Sequence, residues 1–241
     1  MPQRWAGIDG CRGGWVIAVM DHARTVVSIE ALKSFAEAAI DVSETELALA
    51  DIPIGLPSTE CPVLRRCDRM TRELLGPRAS SIFAVPAREA VWAADYAASC
   101  RWNQQILERS LSKQSWGICP KIREADAVFR LAPQLQERIR ETHPELCFRW
   151  LNGGRPVENS KKSRAGQRIR RELLRGWTTN LDAALKQARR TYGVRWLDLD
   201  DLLDAVAAAV LARLAAEEKV KSVPLVPERD ACGLRMEIVG I

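Results

Sequence analysis

The order of apolar and polar positions divides the first 57 residues into four strands and one helix. Apolar runs predict strands at residues 4–9, 15–20 and 25–31, with a glycine-rich turn at 10–14 between the first two. Strands this close together in sequence favour an antiparallel meander. Ser34 is a candidate N-cap for a helix over 35–40. The unbroken apolar run at 47–50 follows that helix and predicts a buried strand parallel to an earlier one.

The remaining sequence is mostly helical in pattern. Residues 58–140 predict a helical insertion, 141–151 a return to strand, 161–192 two helices separated near 177–180, 198–221 the clearest helix and 234–239 a terminal strand. We therefore predict one α/β domain over 1–241, with a mixed sheet of three antiparallel strands plus parallel strands, helices on both faces and the insertion at about 58–140. A doubly wound, all-parallel sheet is the alternative, but parallel crossovers need a dozen or more residues and the first three strands are too close.

Composition restricts the classes of protein to consider. Apolar residues make up 47% of the chain and charged residues 28%, which is typical of a globular protein. No apolar run approaches the roughly 20 residues that span a bilayer, and no secretory hydrophobic segment stands at the N-terminus, so we expect a cytoplasmic protein with no membrane partner. The seven cysteines form no Cys-x-x-Cys pair, which argues against a zinc knuckle or redox motif. The net charge of +5 permits a phosphate-bearing partner without requiring one.

Carboxylates stand where ligands bind in α/β sheets. Asp9 and Asp51 each end a predicted strand, and parallel neighbours would bring both to the carboxyl edge of the sheet. Asp201 and Asp204 share a face of the long helix. The helix dipole explains acidic residues in the first turn, but Asp204 lies beyond that turn. Carboxylate oxygens suit Mg²⁺ or Mn²⁺, and two such ions about 3.5–4 Å apart promote phosphoryl displacement. The alternative is that each Asp begins a turn or caps the helix.

Two further groups are candidates. His143 and Glu145 share a face of the predicted strand at 141–151, so they reach one pocket or form a structural pair. A basic segment is either a solvated helix face or a surface that contacts phosphates. Its seven cations, against the single acid Glu172, are Lys161, Lys162, Arg164, Arg168, Arg170, Arg171 and Arg175. The glycines at 7, 10 and 13 have the wrong spacing for a dinucleotide fingerprint, and no Walker A sequence occurs.

Six short motifs together resemble a known family. They are Gly7-Ile-Asp-Gly-Cys-Arg-Gly-Gly-Trp15, Asp51-Ile-Pro-Ile-Gly-Leu-Pro57, Ser112-Lys-Gln114, Pro120-Lys-Ile122, His143-Pro-Glu145 and Asp200-Asp-Leu-Leu-Asp-Ala205. Over roughly residues 5–215 the chain resembles a bacterial and archaeal family of unknown function catalogued as predicted RNase H-like nucleases. The resemblance implies an RNase H-like fold, in which Asp9, Asp51 and either Asp201 or Asp204 hold two magnesium ions. Asp51 replaces the Glu usual in related resolvases, and the insertion has no counterpart in the minimal fold.

From the residues and the resemblance together, we expect a nuclease that depends on Mg²⁺ or Mn²⁺ and hydrolyses phosphodiesters of nucleic acid. The candidate catalytic residues are Asp9, Asp51, Asp201, Asp204, Glu145 and His143, with Asp9, Asp51 and Asp204 as metal ligands. The candidate phosphate contacts are Lys113, Lys121, Lys161, Lys162, Arg164, Arg168 and Arg171. Nucleic acid is the expected partner, and a homodimer is left open. The alternatives are a nucleotide-dependent phosphotransferase of the related actin-like fold and a nucleic-acid-binding protein with a degenerate site.

Overall fold

The computed structural model describes residues 3–193 and 195–241. The N-terminal segment, for which no secretory signal is expected, begins with two residues that lie outside the described ones. The elements in chain order are β1 (Arg4–Cys11), β2 (Gly14–Asp21), β3 (Val26–Leu32), α1 (Phe35–Asp41), β4 (Leu47–Ala50), α2 (Arg66–Leu75), α3 (Arg88–Val91), α4 (Tyr96–Leu107), α5 (Lys113–Leu131), β5 (Ile139–Glu141), α6 (Pro144–Leu151), α7 (Arg164–Arg175), α8 (Leu181–Tyr192), α9 (Leu199–Ala216), β6 (Ser222–Arg229) and β7 (Arg235–Val239).

A five-stranded mixed sheet with the order β3-β2-β1-β4-β5 forms the centre of the fold. β1 pairs antiparallel with β2, and β2 with β3, while β4 lies parallel to both β1 and β5. The predicted mixed α/β sheet is confirmed, and the all-parallel alternative is wrong because the first three strands form a meander. β6 and β7 make a separate antiparallel pair.

The alternation of side chains along the strands buries both faces of the sheet. The odd-numbered positions Trp5 and Cys11 of β1 and Leu47 and Leu49 of β4 pack in one core with α9. The even-numbered positions of the same strands pack in a second core with residues of α1 and α5. This parity matters for function, since any odd-numbered residue that extends β1 or β4 faces α9.

The helix predictions hold in most places. Ser34 caps α1, with its hydroxyl accepting a hydrogen bond from the Glu37 amide at 3.2 Å. Residues 161–192 contain two helices, α7 and α8, and the segment between β4 and β5 contains α2 to α5. No helix among residues 3–193 and 195–241 is long and apolar enough to cross a membrane.

Two predicted boundaries are wrong. The strand expected over 141–151 ends at Glu141, and α6 begins at Pro144 because proline at the first helical position and the His143 cap favour a helix there. The helix expected over 198–221 ends at Ala216, and a turn with Glu218 at positive φ then leads into β6, which the pattern did not predict. The terminal strand predicted at 234–239 is confirmed as β7.

Candidate functional site

Strand pairing brings Asp9 and Asp51 to neighbouring positions. Ile8 of β1 lies opposite Ala50 of β4 in the parallel ladder, and the Asp51 amide donates a hydrogen bond to the Ile8 carbonyl at 2.8 Å. The next residue on each strand is the aspartate. Both aspartates have odd numbers, so both side chains lie on the face of the sheet that α9 covers. Asp9 is buried and Asp51 is half-buried.

A glycine lets α9 approach β1 closely enough to bring Asp204 to the same place. A Cβ at Gly7 would lie 2.0 Å from the Ala205 carbonyl oxygen and 2.4 Å from the Ala209 amide nitrogen, so no larger residue fits there. Gly7 and Asp9 are two residues apart on one face of β1. The helix turn that contacts Gly7 therefore carries Asp204 toward Asp9, and the Asp204 side chain is fully buried. We call Asp9, Asp51 and Asp204 the acid site.

A lysine from the segment before α7 enters the acid site. Lys161 Nζ donates a hydrogen bond to Asp204 Oδ2 at 2.6 Å. Burial acts to lower the pKa of Lys161, but the attraction of Asp204, Asp9 and Asp51 outweighs it and raises that pKa above its ordinary value. The ammonium therefore stays charged and partly offsets the three carboxylates.

The pKa values of Asp9 and Asp204 are raised. Burial and then the negative charges of Asp51 and Asp204 hold the pKa of Asp9 well above its usual range. Burial raises the pKa of Asp204 to about 7, although Lys161 opposes the shift. Strongly shifted acids that converge at one place are typical of functional sites.

The chemistry of these residues fits a divalent cation, with one condition. The donors are carboxylate oxygens, which Mg²⁺ and Mn²⁺ prefer, and Asp204 Oδ1 is buried without a hydrogen-bond partner in the described chain. As they now lie, no three His, Cys, Asp or Glu side chains among the described residues are arranged to hold one metal ion. The cation that contacts Asp204 here is the Lys161 ammonium, so a metal ion that binds Asp204 Oδ2 requires that ammonium to move.

Asp201 has a different structural role from Asp204. Its carboxylate accepts a hydrogen bond from the Asp198 amide at 3.2 Å, as one half of a capping box at the start of α9. Burial, followed by repulsion from Asp200, raises the pKa of Asp201 to about 6. Of the two aspartates that shared a helix face in the sequence, Asp204 is the one that lies at the acid site.

His143 and Glu145 take structural positions at the start of α6, not positions on a strand. His143 Nδ1 accepts a hydrogen bond from the Glu145 amide at 3.2 Å, and burial lowers the pKa of the imidazole. The buried Glu145 carboxylate pairs with Arg170 at 2.8 Å and with Arg78 at 2.9 Å. Glu145 is therefore held by two guanidinium groups, and both His143 and Glu145 line a cleft beside the acid site.

Comparison with known proteins identifies a family. The model of a family described as a protein of unknown function, DUF429, matches residues 7–229. The chain belongs to the DUF429 family. No curated protein and no solved structure matches it. The matched segment contains all of the acid site and Lys161.

A cleft opens beside the acid site of this DUF429 chain. It has a volume of about 300 Å³ and lies between the ends of the strands, α6 and the segment that follows α2. Asp51, His143 and Lys161 contribute to its wall, together with Arg78 and Phe83. The sequence did not single out Arg78 or Phe83, because neither follows a strand or belongs to one of the recognised motifs.

The predicted phosphate contacts divide into bound and free cations. Lys113 Nζ lies 3.5 Å from the centre of the Tyr96 ring, and Lys121 donates to the Gly14 carbonyl above the Trp15 ring. In the basic segment, Arg171 and Arg175 pair with Asp182, as Lys161 does with Asp204 and Arg170 with Glu145. The exposed cations of the segment without an ion pair in the described chain are Lys162, Arg164 and Arg168.

Proposed function

We propose that this protein is an RNase H-like nuclease that depends on Mg²⁺ or Mn²⁺ and hydrolyses phosphodiester bonds of nucleic acid by a two-metal mechanism. The observation that carries the proposal is the convergence of Asp9, Asp51 and Asp204 from two parallel strands and a helix at the edge of one sheet. The charges of Asp51 and Asp204 act on Asp9, and Lys161 contacts Asp204, so three acids share one ammonium at a site whose charge favours an additional cation.

The order of the elements supports the fold part of the proposal. Three antiparallel strands, a helix and a parallel fourth strand follow one another from β1 to β4, which is the order expected of an RNase H core. Asp9 lies near the end of β1, Asp51 directly follows β4 and Asp204 lies on the last long helix, at the positions where the resemblance implies metal ligands. Two differences from that fold are an aspartate in place of glutamate after β4 and the helical segment before β5, and the helical segment would shape a substrate unlike a plain duplex.

The residues at the acid site and along the cleft have separate roles in this proposal. Asp9, Asp51 and Asp204 would hold divalent ions, which when bound lower the pKa of a water molecule and stabilise the leaving oxygen. Lys161 offsets the negative charge of the acid site in the metal-free protein. Arg78 and Lys161 line the cleft and would attract the phosphodiester. The buried pair of Arg170 and Glu145 fixes the start of α6 and with it His143.

The phosphotransferase alternative lacks a comparable observation. A nucleotide phosphate would have to approach the glycine-rich turn at 10–14. Two side chains lie against that turn, since a Cβ at Gly10 would meet Lys121 at 2.8 Å and one at Gly13 would meet the Trp196 ring at 1.9 Å.

Cleavage assays test the proposal. Labelled single-stranded and duplex DNA and RNA, and ATP, are each incubated with the protein in Mg²⁺, Mn²⁺ or EDTA. We expect cleavage of a nucleic acid in Mg²⁺ or Mn²⁺, none in EDTA, and a loss of at least about 100-fold in Asp9→Asn, because one carboxylate ligand is gone. Asp21→Asn is the matched control, since Asp21 ends β2 outside the acid site; it should cleave like the wild type.

Three results would contradict the proposal. Metal-dependent turnover of ATP without cleavage of nucleic acid would favour the phosphotransferase. Binding of nucleic acid without any metal-dependent turnover would favour a degenerate binding protein. Cleavage that persists in Asp9→Asn would mean that the acid site is not the active site.

A further inference from the structure

A second pocket, separate from the cleft at the acid site, is rich in arginine. It has a volume of about 360 Å³ and lies between α2, the segment before α3 and β6. Five of its lining residues are arginines: Arg65, Arg66, Arg69, Arg72 and Arg109. The acids that line it are Asp68 and Glu228, so five positive charges face two negative ones. We call this concavity the arginine pocket.

Two of the five arginines are already engaged by the protein. Arg65 is buried and pairs with Glu141 at 2.6 Å, and its Nε lies 3.5 Å from Asp68. Arg72 donates two hydrogen bonds to the Ile82 carbonyl. Even so, Arg65 Nη1 is buried without a hydrogen-bond partner in the described chain, which leaves a charged donor unsatisfied at the wall of the pocket.

The other three arginines are free to bind a ligand. Arg66 and Arg69 on α2 and Arg109 after α4 are exposed. None of these three guanidinium groups makes a hydrogen bond or ion pair with any residue in 3–193 or 195–241. Converging, unpaired guanidinium groups in a concave surface suit an anion with several oxygen acceptors, and phosphate is the common biological example.

The position of the arginine pocket favours a polymeric ligand. Asp68 and Val85 line it, and the same two residues line a narrow cavity that reaches Asp51 and His143. The arginine pocket is therefore separated from the Asp51 side of the acid site by a wall to which Asp68 and Val85 contribute. A single small anion would occupy either the arginine pocket or the acid site. A nucleic-acid strand carries a phosphate at every nucleotide and can occupy both.

We propose that the arginine pocket binds phosphates of the nucleic-acid strand that flank the phosphodiester held at the acid site. The inference rests on the proposed function, which it extends from the scissile bond to the neighbouring nucleotides. Contacts of this kind position the strand without reading its sequence. They also release counterions, so binding must weaken steeply with salt.

Binding measured without cleavage tests the inference. The dissociation constant of a fluorescent single-stranded oligonucleotide is measured by anisotropy in EDTA at several salt concentrations. The test variant combines Arg66→Gln, Arg69→Gln and Arg109→Gln. The matched control combines Lys186→Gln, Arg189→Gln and Arg190→Gln, which removes the same charge from exposed positions of α8 beside β3, the far edge of the sheet.

We expect the test variant to bind the oligonucleotide at least tenfold more weakly. The slope of log K against log salt concentration should become shallower by about 2, since each lost phosphate contact on a single strand contributes about 0.7. The control should keep the wild-type slope, and lysine at the three test positions should restore most of it. Equal losses in test and control variants would mean a general effect of net charge and would overturn the inference.

Further outcomes separate the inference from the proposed function. Wild-type affinity and slope in the test variant would overturn the inference while metal-dependent cleavage by the wild type still supports the function. Failure of the wild type to bind any oligonucleotide would overturn the inference as well, and the cleavage assay then decides the function by itself. Tight binding of tripolyphosphate with no binding of the oligonucleotide would assign the pocket to a free polyphosphate and would also overturn it.

Discussion

Lys161 Nζ lies 2.6 Å from Asp204 Oδ2, although the two residues are 43 positions apart in the chain. This contact places the only cation that touches Asp204 in the described structure at the centre of the acid site. A metal ion and the lysine would compete for the same carboxylate. We therefore expect the stability of the metal-free protein to depend on Lys161 and to change when a metal ion is added.

Removal of the lysine charge should destabilise the metal-free protein. In Lys161→Met, Asp204 becomes a buried carboxylate without a partner, which costs about 3 kcal/mol of unfolding free energy. Lys162→Met is the matched control, since Lys162 is exposed, and should change the free energy by less than about 0.5 kcal/mol. Urea unfolding in EDTA measures both. Equal, small changes would show that the contact contributes little.

Metal should stabilise the folded protein through Asp204 and not through Asp201. A divalent ion at 100 times its Kd adds about 2.7 kcal/mol, and thus about 5 °C or more to the Tm. We expect this shift in the wild type and in Asp201→Asn, whose carboxylate caps α9, but not in Asp204→Asn. Thermal melts with and without millimolar Mn²⁺ measure it. A shift that survives in Asp204→Asn and disappears in Asp201→Asn would exchange their roles.

The metal-free protein should lose stability as the pH rises from about 4 to about 7. The pKa of Asp204 is raised to about 7 by burial, and the pKa of Asp9 is also raised. Such carboxyl groups bind protons more tightly when folded than when unfolded, so their stabilisation is present at low pH and is lost as the pH passes the folded pKa. Lys161, Asp51 and Arg170 are the neighbouring charges that modulate the Asp204 pKa.

Urea unfolding at pH 5, 6, 7 and 8 in EDTA measures this decline. Because Asn cannot titrate, we expect a smaller decline in Asp204→Asn, by an amount on the order of 1–3 kcal/mol. Asp21→Asn, which lies outside the acid site, should follow the wild type. A rise in stability over the same interval would contradict the assignment of raised pKa values to Asp9 and Asp204.

The close approach of α9 to β1 should depend on Gly7. In Gly7→Ala the new methyl group overlaps the Ala205 carbonyl, so strand and helix must separate, at a cost of about 3 kcal/mol or more. Gly117→Ala is the matched control, because no atom lies within 4 Å of a Cβ there and Gly117 is inside α5. It should stabilise the protein by about 0.5–1 kcal/mol. Calorimetry compares the two variants.

Local sequence determined the part of the acid site that lies on regular elements. The closely spaced apolar runs of β1 to β3 dictated a meander, and the short apolar run of β4 dictated a buried strand. With β4 parallel to β1, the period of two along each strand put Asp9 and Asp51 on one face. The helical period similarly put Asp204 on the buried face of α9. These features follow from the nearest few residues.

Tertiary structure decided which charges meet, because those contacts join residues far apart in sequence. The basic segment looked uniform, yet it contains Lys161, which contacts the acid site, Arg170, buried against Glu145, and exposed Arg164. The arginine pocket combines four arginines of residues 65–72, which are close in sequence, with Arg109 and β6, which only the tertiary structure brings beside them. Periodicity shows which face of a helix or strand is buried. Packing against other helices and strands decides whether a buried charged side chain forms an ion pair.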